Sequence, residues 1–221
     1  MQKKFSPDSR EIARILRYSR VICLDFDGVI VLSEGIKDRA FQELFADNPN
    51  DLYRILAYHI ENYTADRYTK FKFICENILG KRYDERTKER LAKKFNDLTL
   101  RKIIRCPFVK GALEFLESYS RTVPLILIST TPAQELEHIL RARNLDCFFK
   151  EVYGAPLNKS EILCHISIKY QIPPLEIVYI GDRPEDFSAA RNSGVHFIGC
   201  NNNDYFSKHG VPHMKDFSQI H

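Results

Sequence analysis

Asp25 and Asp27 stand one residue apart at the end of an apolar run, followed at once by a glycine, in the stretch VICLDFDGVIVLSEG. A strand closed by an Asp-Gly turn is one reading of it. The other is chemical. A carboxylate at a strand end becomes a nucleophile toward phosphorus when a cation offsets the charge around it, and a second carboxylate two residues on can give and take the proton. Two later strand ends carry a matching set: Ser129, Thr130 and Thr131 follow LILI, and Gly181-Asp182-Arg183 follows IVYI, with Asp186 four residues beyond Asp182. Between them Lys159 opens a helix in LNKSEIL. Taken singly, each part has an ordinary account: Ser129 and Thr131 as helix caps, Lys159 as a solvated first-turn lysine, GDRPED as a loop entering an acidic helix start. Taken together, acids, hydroxyls and a lysine would meet at one edge.

The elements that must bring them there can be read from periodicity. Residues 8 to 19 share an apolar helical face (Ile12, Ile15, Leu16) with Asp8 or Ser9 as cap, and VICLD is a first strand. From about 35 to 105 the apolar residues recur only at helical spacing, among them Phe41, Leu44, Ile55, Phe71, Leu91 and Phe95. After Pro107 the pattern alternates: FVKGALEFLESY helical, VPLILIS a strand, PAQELEHILRAR a helix capped by Thr131, FFKEVYG a strand, KSEILCHISIKY a helix, EIVYIG a strand, PEDFSAARNS a helix, VHFIG a strand. The tail adds a short edge strand and a final helical turn. Apolar strands separated by helices argue for an α/β fold with a parallel sheet covered on both faces. In such sheets ligands bind outside the carboxyl ends of the strands, where the strand order reverses. The expected organisation is an α/β core domain of residues 1–33 and 106–221, interrupted by a helical cap domain of residues 34–105.

Composition narrows the function. The chain has 221 residues, 44% hydrophobic and 28% charged, which suits a globular protein with a real core. No stretch approaches the roughly 20 apolar residues of a membrane span, and the start lacks an apolar leader, so the expectation is a cytoplasmic protein with no membrane partner. Six cysteines are scattered singly, without zinc-ligand spacing. The formal charge of +4 comes without a basic block, so no nucleic-acid partner is expected. A mild positive excess suits a small anionic substrate.

Crowded carboxylates repel unless a cation lies between them, and a hard, oxygen-rich ligand set favours Mg²⁺. Asp25 then serves as nucleophile, Asp27 as proton donor and acceptor, and Ser129 with Lys159 would hold the phosphoryl oxygens. Neither GxxxxGK[ST] nor GxGxxG after the first strand is present, which removes two rival phosphate-binding signatures.

At these residues the chain resembles the haloacid dehalogenase superfamily of phosphohydrolases. The four short motifs of that family occur in order: Asp25-Phe26-Asp27-Gly28-Val29, Ser129, Lys159, and Gly181-Asp182 through Asp186. The resemblance implies a Rossmann-like sheet of order 3-2-1-4-5 with an inserted α-helical cap. It implies Mg²⁺ held by Asp25, the Asp27 backbone carbonyl and Asp182 with Asp186 nearby, and phosphate bound by Ser129, the Thr130 amide and Lys159. The likeness is greatest to the phosphoglycolate phosphatase and beta-phosphoglucomutase branch, although Leu32 stands where that branch commonly has an aspartate. Dehalogenase members generally lack the acid present here as Asp27.

The expected activity is a Mg²⁺-dependent phosphomonoesterase acting on a small phosphorylated metabolite through an aspartyl-phosphate, as a monomer or homodimer. A phosphomutase using the same residues and a non-catalytic phosphometabolite-binding module are the alternatives. In the cap, Glu34, Arg67 and Lys70, with His59 and Tyr68 near them, are candidates to contact the leaving group. Charged residues on helices more often coat a solvated face.

Overall fold

The computed structural model describes residues 7–33, 35–62, 65–156, 158–200 and 204–220. Glu34 lies outside the described residues, as does the Asn-rich start of the tail at 201–203. The described chain opens with α1 (Pro7–Tyr18), with Asp8 and Ser9 at its second and third described positions. It then enters β1 (Val21–Leu24), buried throughout. Four helices follow: α2 (Ile36–Leu44), α3 (Leu52–Glu61), α4 (Arg67–Phe73), which runs into a π-helical turn at Ile74–Ile78, and α5 (Glu85–Arg105). Strands and helices then alternate through α6 (Ala112–Tyr119), β2 (Leu125–Pro132), α7 (Ala133–Ala142), β3 (Glu151–Ala155), α8 (Lys159–Tyr170), β4 (Ile177–Gly181), α9 (Pro184–Ser193) and β5 (His196–Cys200). A short α10 (Asp204–Lys208), β6 (His213–Met214) and a 3₁₀ turn at Phe217–Gln219 complete the described chain. No helix among the described residues is long and apolar enough to cross a membrane.

All six strands are parallel, in the order β3-β2-β1-β4-β5-β6, so the expected order of the first five holds and β6 extends one edge. β1 lies between β2 and β4, which makes its carboxyl end the point where the winding reverses. The face bearing Val21, Cys23, Ile126, Ile128, Ile177 and Tyr179 packs against Leu163 and Ile166 of α8 and Ala189 and Ala190 of α9. Each such apolar side chain removed from water contributes about 1.5–3 kcal/mol before the entropy of ordering is set against it.

Contacts divide the chain into two compact units, Met1–Leu32 with Pro107–His221, and Ser33–Cys106. The second is helical. Its interior is aromatic: Phe41 lies 5.2 Å from Phe95 and 5.7 Å from Phe71, and Phe71 lies 5.9 Å from Phe95, ring centroid to ring centroid. Such tilted and edge-on pairs place a positive ring edge on a negative ring face. Asp66 and Asp84 start α4 and α5 by accepting hydrogen bonds from backbone N–H groups of the first turn.

Three local expectations give way to geometry. The helix expected from Phe108 begins at Ala112, because Phe108 and Val109 are used as extended backbone: Val109 N–H donates to Ile30 O at 3.0 Å and Phe108 bridges Val31. β2 continues past Ser129 to Pro132, and α7 begins only at Ala133, so Thr131 does not cap it. α10, unforeseen in the polar tail, is anchored by the buried Phe206.

Candidate active site

Ladder register delivers the first carboxylate. Leu24 pairs with Ile180, and Asp25 N–H still donates to Ile180 O at 3.0 Å, so Asp25 stands at the carboxyl edge opposite Gly181, the residue before Asp182. Side chains alternate along a strand. Val21 and Cys23 face α8 and α9, so Asp25 projects to that face, where α8 starts with Lys159 and the first turn of α9 carries Asp186. Two glycines make the room. Gly28 has φ of +75°, and a side chain there would strike the Asp182 carboxylate; a Cβ on Gly181 would come within 2.7 Å of Asp186 Oδ2.

Lys159 is the hub. Its Nζ donates to Asp25 Oδ2 at 2.9 Å, to Asp186 Oδ1 at 2.6 Å and to the Tyr179 hydroxyl at 2.8 Å. Burial resists the ammonium charge, but the carboxylates of Asp186 and Asp25 outweigh it and raise the Lys159 pKa, keeping the side chain charged. The other oxygen of Asp25 accepts the Phe26 N–H at 2.7 Å, which fixes the plane of the carboxylate. Burial raises Asp25 to about 6, with Lys159 opposing and Asp186 and Asp27 adding to the rise. Asp182 is pushed well above the ordinary carboxylate range by burial and by Asp25 and Asp186, against the pull of Arg183, whose Nε lies 3.5 Å from Asp182 Oδ2.

Asp25, Asp182 and Asp186 are all buried, and each offers a carboxylate oxygen within 4.8 Å of the others'. Three such oxygens suit a hard divalent cation. The half-buried Asp27 is outside this trio; its Oδ2 lies 3.5 Å from the Thr131 hydroxyl. Ser129 is fully buried and its Oγ accepts the Thr131 N–H at 3.1 Å, while Thr130 between them is half-buried. The strand ends of β1, β2 and β4 and the helix starts of α8 and α9 thus supply the residues the motifs single out.

Of the helical unit's described candidates, Arg67, Lys70 and His59 have partners within that unit. Arg67 is buried, donates to Asn96 and lies over the Phe95 ring at 4.8 Å. Lys70 is buried with Nζ 3.3 Å from His59 Nδ1, and His59 Nε2 is 2.9 Å from Asp38 Oδ1. Sequence reasoning passed over Tyr179, whose hydroxyl donates to Asp186 Oδ1 at 2.9 Å as well as accepting from Lys159. A tyrosine in an apolar strand reads as core; the available signal was parity, since position 179 shares a face with the strand end beside Asp25.

Residues 22–200 match the haloacid dehalogenase-like hydrolase family. A phosphoglycolate phosphatase of Photobacterium profundum is 28% identical over 95 residues, a stretch covering 40% of this chain and 42% of that protein's length. Among solved structures, a "predicted phosphoglycolate phosphatase" from Haemophilus somnus 129PT is similar at TM-score 0.68 and 18% identity, over 92% of this chain and 96% of that one. CbbY from Rhodobacter sphaeroides in complex with phosphate is similar at TM-score 0.68 and 17% identity, over 91% of this chain and 96% of that one. At such identities the structures speak for the fold, and the family match for the family. With its match running from β1 to the end of β5, the chain belongs to the haloacid dehalogenase-like hydrolases.

Proposed function

We propose that the protein is a Mg²⁺-dependent phosphomonoesterase that hydrolyses a small phosphorylated metabolite through a phosphoryl group carried on Asp25. The observation that carries this reading is the buried Asp25–Asp182–Asp186 trio with Lys159 bonded to two of its members. The resemblance to phosphoglycolate phosphatases supports a phosphate ester as substrate, and phosphoglycolate or a sugar phosphate as its class.

The donor set fits the metal. Like charges at this separation in a buried place are costly to hold, and only hard oxygen donors are offered. Asp25 and Asp182 would hold the ion, with Asp186 beside them and the Asp27 carbonyl completing the protein's share. Bound there, Mg²⁺ would supply positive charge to the phosphoryl oxygens and to the carboxylates that crowd them.

The chain's own residues do the rest. An Asp25 oxygen attacks phosphorus; the O–P bond to aspartate forms as the ester P–O bond breaks, and Asp27 gives its proton to the departing alkoxide. Asp27 then takes a proton from the water that attacks phosphorus, the Asp25–phosphoryl bond breaks, and inorganic phosphate leaves with Asp25 restored. Lys159, held charged by its acid neighbours, faces the phosphoryl oxygens, and Ser129 with the Thr130 N–H holds them from β2. The Thr131 hydroxyl limits the swing of Asp27.

Phosphate release from a panel of phosphorylated metabolites, with Mg²⁺ and with EDTA, tests this. Turnover is expected for the wild type with metal and not for Asp25→Asn. Equal turnover by the variant would remove Asp25 as the nucleophile.

A further inference from the structure

Lys159 has three N–H bonds to give, and all three go to protein acceptors: Asp25 Oδ2, Asp186 Oδ1 and the Tyr179 hydroxyl. During reaction on phosphorus, the bond to the Asp25 oxygen is the one the ammonium can exchange for a phosphoryl oxygen, because Asp25 itself is reacting. The other two remain. Tyr179 also donates to Asp186 Oδ1, so Lys159, Tyr179 and Asp186 close a triangle with sides of 2.8, 2.9 and 2.6 Å. The tyrosine is fully buried, its backbone is paired to Cys23 and Phe197 in neighbouring strands, and its ring lies 6.1 Å from the Phe197 ring. Its hydroxyl is therefore a fixed post on a rigid strand, whereas Lys159 and Asp186 come from two separate helices.

We propose that Tyr179 is a positioning residue that holds the Lys159 ammonium against Asp25 and ties it to Asp186, so that the lysine meets the phosphoryl group without searching for it. The proposal rests on the phosphatase reading of the site. Tyr179 touches neither substrate nor metal in this account; it acts through Lys159. Its only chemistry is a hydroxyl that accepts one hydrogen bond and gives another, which phenylalanine deletes while keeping the ring.

Tyr179→Phe is expected to lower kcat by about tenfold with KM little changed, because the lost alignment is felt when charge develops on the phosphoryl oxygens. In a Lys159→Gln background, followed in single turnover, the same substitution should cost nothing further. A purely structural role would lower activity in both backgrounds, and that result, or an unchanged kcat in the single variant, would overturn the proposal. Two readings need no activity. A crystal structure of the metal-free Tyr179→Phe protein should show Lys159 Nζ displaced from Asp25; an ammonium still in place overturns the inference. In the wild-type protein NMR should show a slowly exchanging Lys159 ammonium with a nuclear Overhauser contact to the Tyr179 hydroxyl, and a rapidly exchanging ammonium overturns it even if the variant does not fold. Absence of wild-type turnover would instead strike the phosphatase reading, leaving these two measurements to judge the post.

Discussion

Asp182 keeps a carboxylate where burial, Asp25 and Asp186 all oppose its charge, with Arg183 and Lys159 as partial relief. A site so arranged is less stable empty than filled, which gives a prediction that does not depend on turnover. In EDTA, Asp182→Asn should be more stable than the wild type by on the order of 1 kcal/mol, because a buried carboxyl group that is costly to ionise beside Asp25 and Asp186 is replaced by a neutral amide. Adding Mg²⁺ should raise the wild-type melting temperature and leave the variant nearly unmoved. A variant that is less stable in EDTA and equally responsive to Mg²⁺ would contradict the trio as a metal site. Asp25 and Asp182 are legible in the sequence because each stands where an apolar run ends, a position that maps onto the carboxyl edge of a parallel sheet, and Asp186 follows from its fixed spacing beyond Asp182. Tyr179 is not legible in the same way. Its function lies in one oxygen atom, and residue type plus periodicity describe the ring instead.

Among the elements, the helical unit carries the interactions that a pattern of apolar spacing says least about. His59, at the end of α3, stacks on Phe41 at 3.9 Å, with Asp38 from α2 and Lys70 from α4 at its two nitrogens and Lys37 bearing on it as well. Burial pushes the imidazole below its ordinary 6.5, Lys70 acts in the same direction, and the Asp38 hydrogen bond opposes them without winning. The unfolded chain therefore takes up the proton first as the pH drops. The stability given by neutral His59 is full above 6.5 and is lost progressively as the pH falls from there toward the lowered folded value. Hydrogen exchange of α3 and α4 amides should show opening becoming easier on mild acidification in the wild type and much less so in His59→Gln; identical pH dependence would remove His59 as the cause. Arg67 is tested separately. Removing its contact with the Phe95 face and its hydrogen bond to Asn96 should lower stability by about 1–3 kcal/mol in Arg67→Ala, read by thermal melting. A part in choosing the leaving group requires more: a larger activity loss on the preferred substrate than on a generic aryl phosphate. Equal losses on both would confine Arg67 to packing. The helices themselves were legible from period alone; the π-helical turn at Ile74–Ile78 was not, nor was the extended use of Phe108–Val109, which depends on Ile30 and Val31, distant in sequence.

Across the whole molecule, charge is divided unevenly. Ser33–Cys106 holds 16 Lys and Arg against 12 Asp and Glu, while the α/β unit is balanced at 17 of each, so the excess of +4 lies entirely in the helical unit. The α/β unit is neutral in sum yet gathers Asp25, Asp182 and Asp186 in one cluster, a pattern that net charge alone conceals. Parallel pairing was legible from the alternation of apolar runs and helices, whereas the strand order, and with it the reversal at β1, was expected only from the resemblance to the family, since alternation alone leaves several windings open. What that order achieves is the meeting of β1, β4 and α8 at Asp25. The most direct measurement of the account's central claim is rapid acid quench of the wild-type protein turning over a phosphorylated substrate with Mg²⁺, followed by mass spectrometry of the peptide containing Asp25. The account predicts an acid-stable, base-labile phosphoryl group on Asp25, absent from Asp25→Asn. Hydrolysis that proceeds with no phosphoryl group on that peptide at any quench time would contradict it.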